Sequence, residues 1–295
     1  MLSIITGKTQ ELMGRRPQWP FTTNMDSSQS QSLKVWVPMG VPKSGGEKDL
    51  VKDIAYAATG TNLKVEQDLG IVRDFEFGSS EYLSYNGAEV TATPLTVACW
   101  LVIESFGSSP ITLLSLHNSG STTQRECFLL FLDQTTNNVK FLVGAATNAG
   151  TATDDGLLPA MSTERLYHAA GVAKSSTSRF AYRNGYPGGQ STTSRTPSGI
   201  NITHIGAEGF TAGPGRFFDG RIGDARIYSR EFNHSEVWEL YDPRSRWELY
   251  YPLGRKLYAF NPPAVVGRTT KNTRSHPLGV YVGTNWRSTG PVPIY

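Results

Sequence analysis

Residues 216–241 read RFFDGRIGDARIYSREFNHSEVWELY, and this stretch decides the fold. Glycines at 215 and 220 bracket a turn, and a period of two follows, which predicts a strand. On that strand one face carries Ile222, Asp224, Arg226 and Tyr228, and the other carries Gly223, Ala225 and Ile227.

After Ser229 the pattern changes from a period of two to helical spacing. Phe232, Val237, Leu240 and Tyr241 recur at roughly helical intervals. Asn233 or Ser235 can cap this helix, with Glu236 behind the cap. The stretch therefore predicts a strand that runs directly into one short helix.

This strand and helix closely resemble the last strand of laminin-G-like, concanavalin A-like jelly-roll domains, whose pattern is G-x-I-D-D-V-R-I-Y-x-R-x-L-S-x-x-E-I-x-x-L-Y. The matching positions are Gly220, Ile222, Asp224, Arg226, Ile227, Tyr228, Arg230, Glu236, Leu240 and Tyr241. Gly223 replaces the first Asp of the pattern, and residues 232–234 replace its leucine-centred entry. The resemblance implies an all-β fold, an antiparallel jelly-roll β-sandwich.

Further stretches carry the same resemblance. Residues 166–185, LYHAAGVAKSSTSRFAYRNG, resemble the family's W-H-H-V-A-G-V-Y-D-G-S-T-L-R-L-Y-V-N-G, and Asn184-Gly185 predicts a type I′ hairpin turn. Residues 94–104 are nearly all apolar, which predicts a central strand buried on both faces. Residues 73–85 resemble a β-hairpin of the family, with the turn at residues 78–80 of this chain.

The resemblance covers residues 33–241 and suggests three parts. We predict an extended N-terminal arm (1–32), a laminin-G-like β-sandwich (33–242) and a basic, aromatic C-terminal arm (243–295). The whole chain has a net charge of +3, yet residues 244–295 carry eight Lys or Arg and one acid, so 20 basic and 24 acidic residues remain in 1–243. Because aromatic residues are scattered among prolines in the C-terminal arm, we expect it to lie against the sandwich or another subunit.

The cysteines and the N-terminus bound the cellular context. Cys99 and Cys127 both lie in apolar, strand-like runs, so a buried free thiol is favoured and a cross-sheet disulfide is the alternative. The N-terminal residues have no apolar core of signal-peptide length, and no run reaches 18 apolar residues. We expect a soluble protein without a classical leader.

Acidic residues provide the only patterns near a catalytic or calcium site. Asp74-x-Glu76 resembles part of the E-x-D-x-E strand of concanavalin-like glucanases, but the third acid is missing, and a solvated polar face is favoured. The resemblance also implies that some relatives hold calcium at the rim of the sandwich. Candidates for such a site are Asp133, Asp154, Asp155 and Asp219.

The sequence contains no motif for a zinc site or for a catalytic nucleophile. The histidines lie singly and without ligand spacing, at His117, His168, His204, His234 and His276. No G-x-S-x-G motif or phosphate-binding glycine loop is present. We therefore predict a non-enzyme without a catalytic, cofactor-binding or metal-binding residue, and without a cofactor.

Fold-level likeness gives two hypotheses for the function. Laminin-G-like domains with short arms resemble virion proteins of tailed phages, which predicts a phage structural protein located in the virion, most simply a capsid decoration, cement or appendage protein. Its partners would be the major capsid protein or neighbouring decoration subunits in a homo-oligomer, with glycans as further partners, and neither a membrane nor nucleic acid is expected.

The alternative is a carbohydrate-binding, lectin-like module that recognises host or environmental polysaccharide. Such a module needs exposed aromatic rings with polar side chains around them. The candidates for this role are Tyr186, Asn148, Asp154, Asp155 and Phe210.

Overall fold

Two antiparallel sheets dominate the computed structural model, which describes residues 16–17, 20–107, 110–121, 126–145, 148–153, 158–210, 213–252, 279–282 and 285–288. The larger sheet has nine strands. Their spatial order is β13 (Asn148–Thr153), β12 (Asn138–Ala145), β11 (Cys127–Asp133), β10 (Ile111–His117), β17 (Ile202–Ile205), β8 (Tyr82–Tyr85), β5 (Ala55–Thr59), β4 (Gly46–Lys48) and β3 (Pro42–Lys43).

The second sheet has eight strands, seven of which follow one path. Their order is β16 (Tyr186–Pro187), β15 (Ser178–Arg183), β14 (Leu166–Ser175), β9 (Leu95–Ile103), β20 (Gly220–Tyr228), β7 (Gly70–Phe75) and β6 (Asn62–Glu66), and β2 (Leu33–Val37) pairs with β20. The prediction of an all-β, antiparallel fold is confirmed.

Short elements complete the described chain. Three two-stranded pairs are β1 (Phe21–Thr23) with β21 (Tyr250–Pro252), β18 (Glu208–Phe210) with β19 (Gly213–Gly215), and β22 (Gly279–Val282) with β23 (Asn285–Ser288). The helix α1 spans His234–Tyr241, and short 3-10 helices span Ser28–Ser30 and Phe77–Ser79. No helix in the described ranges is long and apolar enough to cross a membrane. The chain forms two compact units, Met1–Gly254 and Arg255–Tyr295, and β22–β23 belongs to the second.

The main core lies between the two sheets. All nine residues of β9 are buried, as expected for a strand with neighbours on both sides and packed layers on both faces. Phe141 of the nine-stranded sheet reaches Gly171 of β14, where a Cβ atom would lie 2.2 Å from the Phe141 ring. Glycine at 171 therefore lets the sheets approach closely, and any larger residue would displace the ring.

A second apolar layer covers the outer face of the eight-stranded sheet. Trp36, Trp100 and Tyr228 of the sheet pack there with residues of α1 and with Trp247 and Tyr250. The described beginning of the predicted C-terminal arm, residues 243–252, thus lies on the sandwich of its own chain. The rest of that arm is outside the described residues, apart from the backbone of β22 and β23.

Strand β20 does not alternate as its sequence predicts. Ile222 faces the main core, but so do Ala225 and Ile227, which were expected on the opposite face. The register shifts between Gly223 and Arg226, and Asp224 has a φ of 56°. A β-bulge at this left-handed residue adds one residue to the strand and reverses the faces beyond it.

The predicted hairpin in residues 73–85 is wrong. Strand β7 pairs with β6 and β20 in one sheet, whereas β8 pairs with β5 and β17 in the other. The 3-10 turn at Phe77–Ser79, followed by Ser80 with a φ of 56°, carries the chain from one sheet to the other. The turn residues were recognised correctly, but a turn alone does not determine which sheet receives the next strand.

The two cysteines lie in different sheets. Cys99 is in β9 and Cys127 is in β11, both are buried, and no disulfide joins them. Burial raises the pKa of the Cys99 thiol well above its usual value, so this thiol stays protonated and unreactive. The expectation of buried thiols rather than a cross-sheet disulfide is confirmed.

Candidate functional site

Helix α1 exposes the side chains of His234 and Trp238 to the solvent. The Asn233 side chain accepts a hydrogen bond from the Glu236 amide (3.0 Å), and the Glu236 carboxylate accepts one from the Asn233 amide (2.8 Å). This capping box starts the helix at His234, and its apolar side buries Val237 on the sheet. Since His234 and Trp238 are four residues apart, they share the outward side of the helix.

The β15–β16 hairpin brings a second aromatic residue to this helix. Asn184 and Gly185 have φ values of 52° and 79°, as the predicted type I′ turn requires. A Cβ atom at Gly185 would lie 2.7 Å from the Trp238 ring, so glycine also permits the close approach of the helix. Tyr186 follows the turn directly and packs beside Trp238.

Tyr186 and Trp238 form an exposed aromatic pair. Their ring centroids are 5.2 Å apart with an interplanar angle of 79°, an edge-to-face arrangement. Tyr186 is 45% exposed and Trp238 is 36% exposed. Two large aromatic side chains in contact with each other and with the solvent form a ready surface for a flat, partly apolar ligand.

A groove of about 190 Å³ lies beside this pair, between strands β14 and β15 and the start of α1. Its apolar lining comes from Val172, Phe180, Tyr182 and Phe232, and its polar lining from Lys174, Glu231, Asn233 and His234. An apolar floor with a few polar groups at the rim is the usual composition of a small-ligand site. We call the groove together with Tyr186 and Trp238 the aromatic face.

Polar contacts hold the walls of the groove in place. The Tyr182 hydroxyl oxygen lies 2.7 Å from Nδ1 of His234, and burial raises the pKa of Tyr182, which keeps this hydroxyl protonated. On the opposite side Lys174 Nζ lies 3.2 Å from a Glu231 carboxylate oxygen. These groups offer an ammonium, a carboxylate and an imidazole to hydroxyl groups of a ligand seated on the apolar floor.

The family model of the laminin-G type that is described as "Concanavalin A-like lectin/glucanases superfamily" matches residues 77–238. The chain belongs to the concanavalin A-like lectin/glucanase superfamily. The match spans most strands of both sheets and ends at Trp238 of the aromatic face, and it confirms the predicted sandwich. No curated protein matches the chain in sequence.

Solved structures share the superfamily fold at low sequence identity. Domain 4 of AbnA, a GH43 extracellular arabinanase from Geobacillus stearothermophilus, solved in complex with arabinotriose, is 13% identical with a TM-score of 0.53, and the match covers 72% of this chain and 98% of that domain. The binding domain of Paraclostridial Mosquitocidal Protein 1 is 15% identical with a TM-score of 0.53, and the match covers 71% of this chain and 52% of that one. At these identities the likeness shows the fold alone.

Of the residues predicted to bind sugar, the structure places Tyr186 on the aromatic face. Asp154 and Asp155 lie outside the described residues, as do the side chains of Asn148 and Phe210. Trp238 and the groove were not predicted from the sequence. The helical spacing could have predicted that Trp238 is exposed, because a helix that buries Val237 turns the next residue away from the sheet.

Asp74 is not the solvated residue that the sequence predicted. It is only 3% exposed, and its carboxylate lies 2.6 Å from Lys64 Nζ. The ligand atoms of Asp74, Glu76 and Glu104 lie within 4.8 Å of one another. Burial, with the neighbouring carboxylates, raises the pKa of Glu76. Although this spacing is near that of a retaining glycosidase pair, Asp74 is covered and bound to a lysine, so its geometry does not suit a nucleophile.

Two of the proposed calcium ligands have protein partners instead. Asp133 accepts hydrogen bonds from the amides of Thr135 and Thr136 and from Lys140 Nζ, which closes the β11–β12 turn. Asp219 accepts hydrogen bonds from Ser105 and from the Phe77 amide. The Asp133 carboxylate thus organises its own turn, whereas the Asp219 carboxylate joins two segments that are distant from it in the sequence.

The histidines also differ from expectation in their placement. His117 and His204, predicted to be isolated, have ring centroids 4.8 Å apart on the nine-stranded sheet. Burial lowers their pKa values to about 4 and about 3. Burial likewise lowers the pKa of His168 to about 3, assisted by the positive charge of Arg226. These three rings are neutral at pH 7, and His276 lies outside the described residues.

Proposed function

We propose that the protein is a non-enzymatic, carbohydrate-binding module that holds its ligand on the aromatic face. The observation that carries this proposal is the exposed Tyr186–Trp238 pair beside an apolar groove with a charged rim. Sugar rings have apolar C–H faces and polar edges, so a site for them needs flat aromatic rings and hydrogen-bonding groups side by side. The arabinotriose bound by the AbnA domain, which shares the fold, supports the same ligand class.

The dimensions of the aromatic face favour a short stretch of a polysaccharide. The aromatic face offers two contact sites, the groove at His234 and the Tyr186–Trp238 pair. His234 and Trp238 are one helical turn apart, or about 6 Å along α1. A chain of two or three sugar units can therefore contact both. Because Asp74 is covered and lysine-bound, we further propose that binding is not followed by cleavage.

The virion hypothesis remains a prediction. Its support was a C-terminal arm free to clasp a neighbour, and residues 243–252 of that arm instead pack on their own sandwich. No described residue favours a capsid partner over a polysaccharide. A phage decoration protein that binds host polysaccharide would have both properties.

The test begins with a glycan array that identifies a bound polysaccharide, followed by calorimetric titration of variants. Trp238→Ala and Tyr186→Ala should each weaken binding by about tenfold or more, because each removes a stacking surface worth about 1.4 kcal/mol. Phe77→Ala is the matched control, since Phe77 is 41% exposed but lies at the crossing between the sheets.

Two outcomes would contradict the proposal. Unchanged affinity in both aromatic variants would remove the aromatic face as the site. Release of new reducing ends from the bound polysaccharide would show that the protein is an enzyme.

A further inference from the structure

Strand β6 forms an open edge of the eight-stranded sheet. Within the described residues its single neighbour is β7, and its other side has no strand beside it. Leu63 is 49% exposed and Val65 is 80% exposed, and both side chains point to the same face. An edge strand of five residues, without proline and with exposed apolar side chains, is a template for pairing with another strand.

The three other strands at the ends of the two main strand orders are blunted. Strand β16 is two residues long and ends in Pro187, and β3 is two residues long and begins with Pro42. Strand β13 bridges to Gly189 through Thr153. Proline, short length and a covering segment are common means of protecting an edge, and β6 has no proline, is five residues long and has no covering strand among the residues that the structure describes.

The charges on β6 match those of a second copy of the same strand. Lys64 and Glu66 lie on one face, as their partners Val72 and Gly70 in β7 require. If two copies of β6 pair in antiparallel fashion around a two-fold axis at Val65, Lys64 lies opposite Glu66 of the second copy, and this happens twice. Opposite charges in facing positions stabilise such pairs, and here they add to the ion pairs that Lys64 forms with Asp74 and Glu66 forms with Arg221 in its own chain. On the other face, Val65 meets Val65 of the second copy.

We propose that the protein self-associates into a two-fold dimer through antiparallel pairing of β6, which joins the two eight-stranded sheets into one continuous sheet. The dimer leaves the aromatic face free, because that face lies at the β14–β16 side of the sheet and β6 is at the opposite end. Since a five-residue edge buries little area, the dimer should be of the weak, concentration-dependent kind.

A cysteine variant tests both the dimer and its register. In the proposed pairing the two Val65 Cα atoms are about 5 Å apart, within the range that a disulfide spans. The two Leu63 Cα atoms are about 14 Å apart, which a disulfide cannot span. Under mild oxidation the full-length Val65→Cys variant should form a covalent dimer, and the Leu63→Cys variant should not. The native thiols do not interfere, because Cys99 and Cys127 are buried.

Light scattering of the unmodified protein between about 1 µM and 1 mM provides the second measurement. The average mass should rise towards that of a dimer, Val65→Lys should keep it at the monomer, and Met25→Lys should leave it unchanged. Met25 is the matched control because it is 73% exposed and lies outside the two sheets. A monomer at all concentrations, or cross-linking through Leu63→Cys instead of Val65→Cys, would overturn the proposal. Sugar binding by the same samples is read separately, so failure here leaves the carbohydrate proposal untouched.

Discussion

Asp224 is the residue at which the sheet and its covering segments meet. The indole N–H of Trp36 donates to its carboxylate (2.8 Å), and the Tyr250 hydroxyl donates to the same oxygen (2.6 Å). Arg226 forms an ion pair with the other oxygen (2.6 Å), and both residues are 2% exposed. Three strands, β2, β20 and β21, are thus joined through one side chain. The left-handed backbone at Asp224 directs this side chain away from the main core and towards the outer apolar layer.

Replacement of Asp224 by Asn should cost about 3 kcal/mol of unfolding free energy, because the buried Arg226 guanidinium loses the charge that compensates it. Asparagine tolerates the left-handed backbone, so the change removes charge without adding strain. Urea denaturation measures the effect. Asp53→Asn is the control, since Asp53 also has a positive φ (57°) but is exposed, and its replacement should leave stability nearly unchanged. Equal stabilities of the two variants would contradict the role given to Asp224.

Helix α1 and the β15–β16 hairpin show which elements a sequence can predict. The capping residues Asn233 and Glu236 and the turn residues Asn184 and Gly185 are local signals, and both elements form as predicted. That the helix lands beside the hairpin depends on contacts between residues about 50 positions apart, such as Tyr182 with His234. The aromatic face forms only where the helix and the hairpin meet, so Tyr186 was the only residue of its aromatic pair that was predicted from the sequence.

The same division explains the errors. The alternation of β20 was predicted from a period of two, but the bulge at Asp224 is stabilised by Trp36 and Tyr250, which are distant in sequence. The turn at residues 77–79 was recognised, but its partner sheet was not, because strand pairing depends on the whole set of strands. Short-range sequence patterns determine which elements form, and contacts between distant residues determine how the strands pair.

The segment of residues 243–252 behaves as part of the sandwich, which a truncation series can test. A chain ending at residue 242 loses Trp247, Leu249 and Tyr250 from the outer layer, and each buried apolar side chain of this size is worth about 1.5–3 kcal/mol. That loss approaches the total stability of a typical domain, so we expect this chain to unfold or aggregate. A chain ending at residue 254 keeps the whole first unit and should melt cooperatively. Equal melting temperatures for the two chains would show that the segment contributes nothing to folding.

For the molecule as a whole, three buried histidines predict a loss of stability in acid. The folded pKa values of His117, His168 and His204 are about 4, about 3 and about 3, against an ordinary value of 6.5. Because the folded values are lower, the unfolded chain binds more protons between pH 6.5 and pH 3–4. The stabilising contribution of each histidine is therefore complete above pH 6.5 and falls as the pH decreases.

Urea denaturation at pH 7 and pH 5 measures this effect, which should reach about 1–2 kcal/mol for each histidine at pH 5. His168→Gln should reduce the difference between the two pH values, whatever its effect at pH 7. His234→Gln is the control, because His234 is exposed. A pH difference that stays the same in His168→Gln would contradict the assignment.

The pairing of β1 with β21 places Phe21 opposite Pro252, at the usual spacing of neighbouring strands, about 5 Å. The first and last described strands of the first unit therefore lie side by side. A module with this geometry can be carried as an insertion in the surface loop of a host protein, which needs to open by no more than the width of one strand. It can also be circularly permuted, with the two adjacent ends of the sandwich joined by a short linker and new ends cut at an exposed turn. The attachment point can then be chosen so that the aromatic face stays exposed.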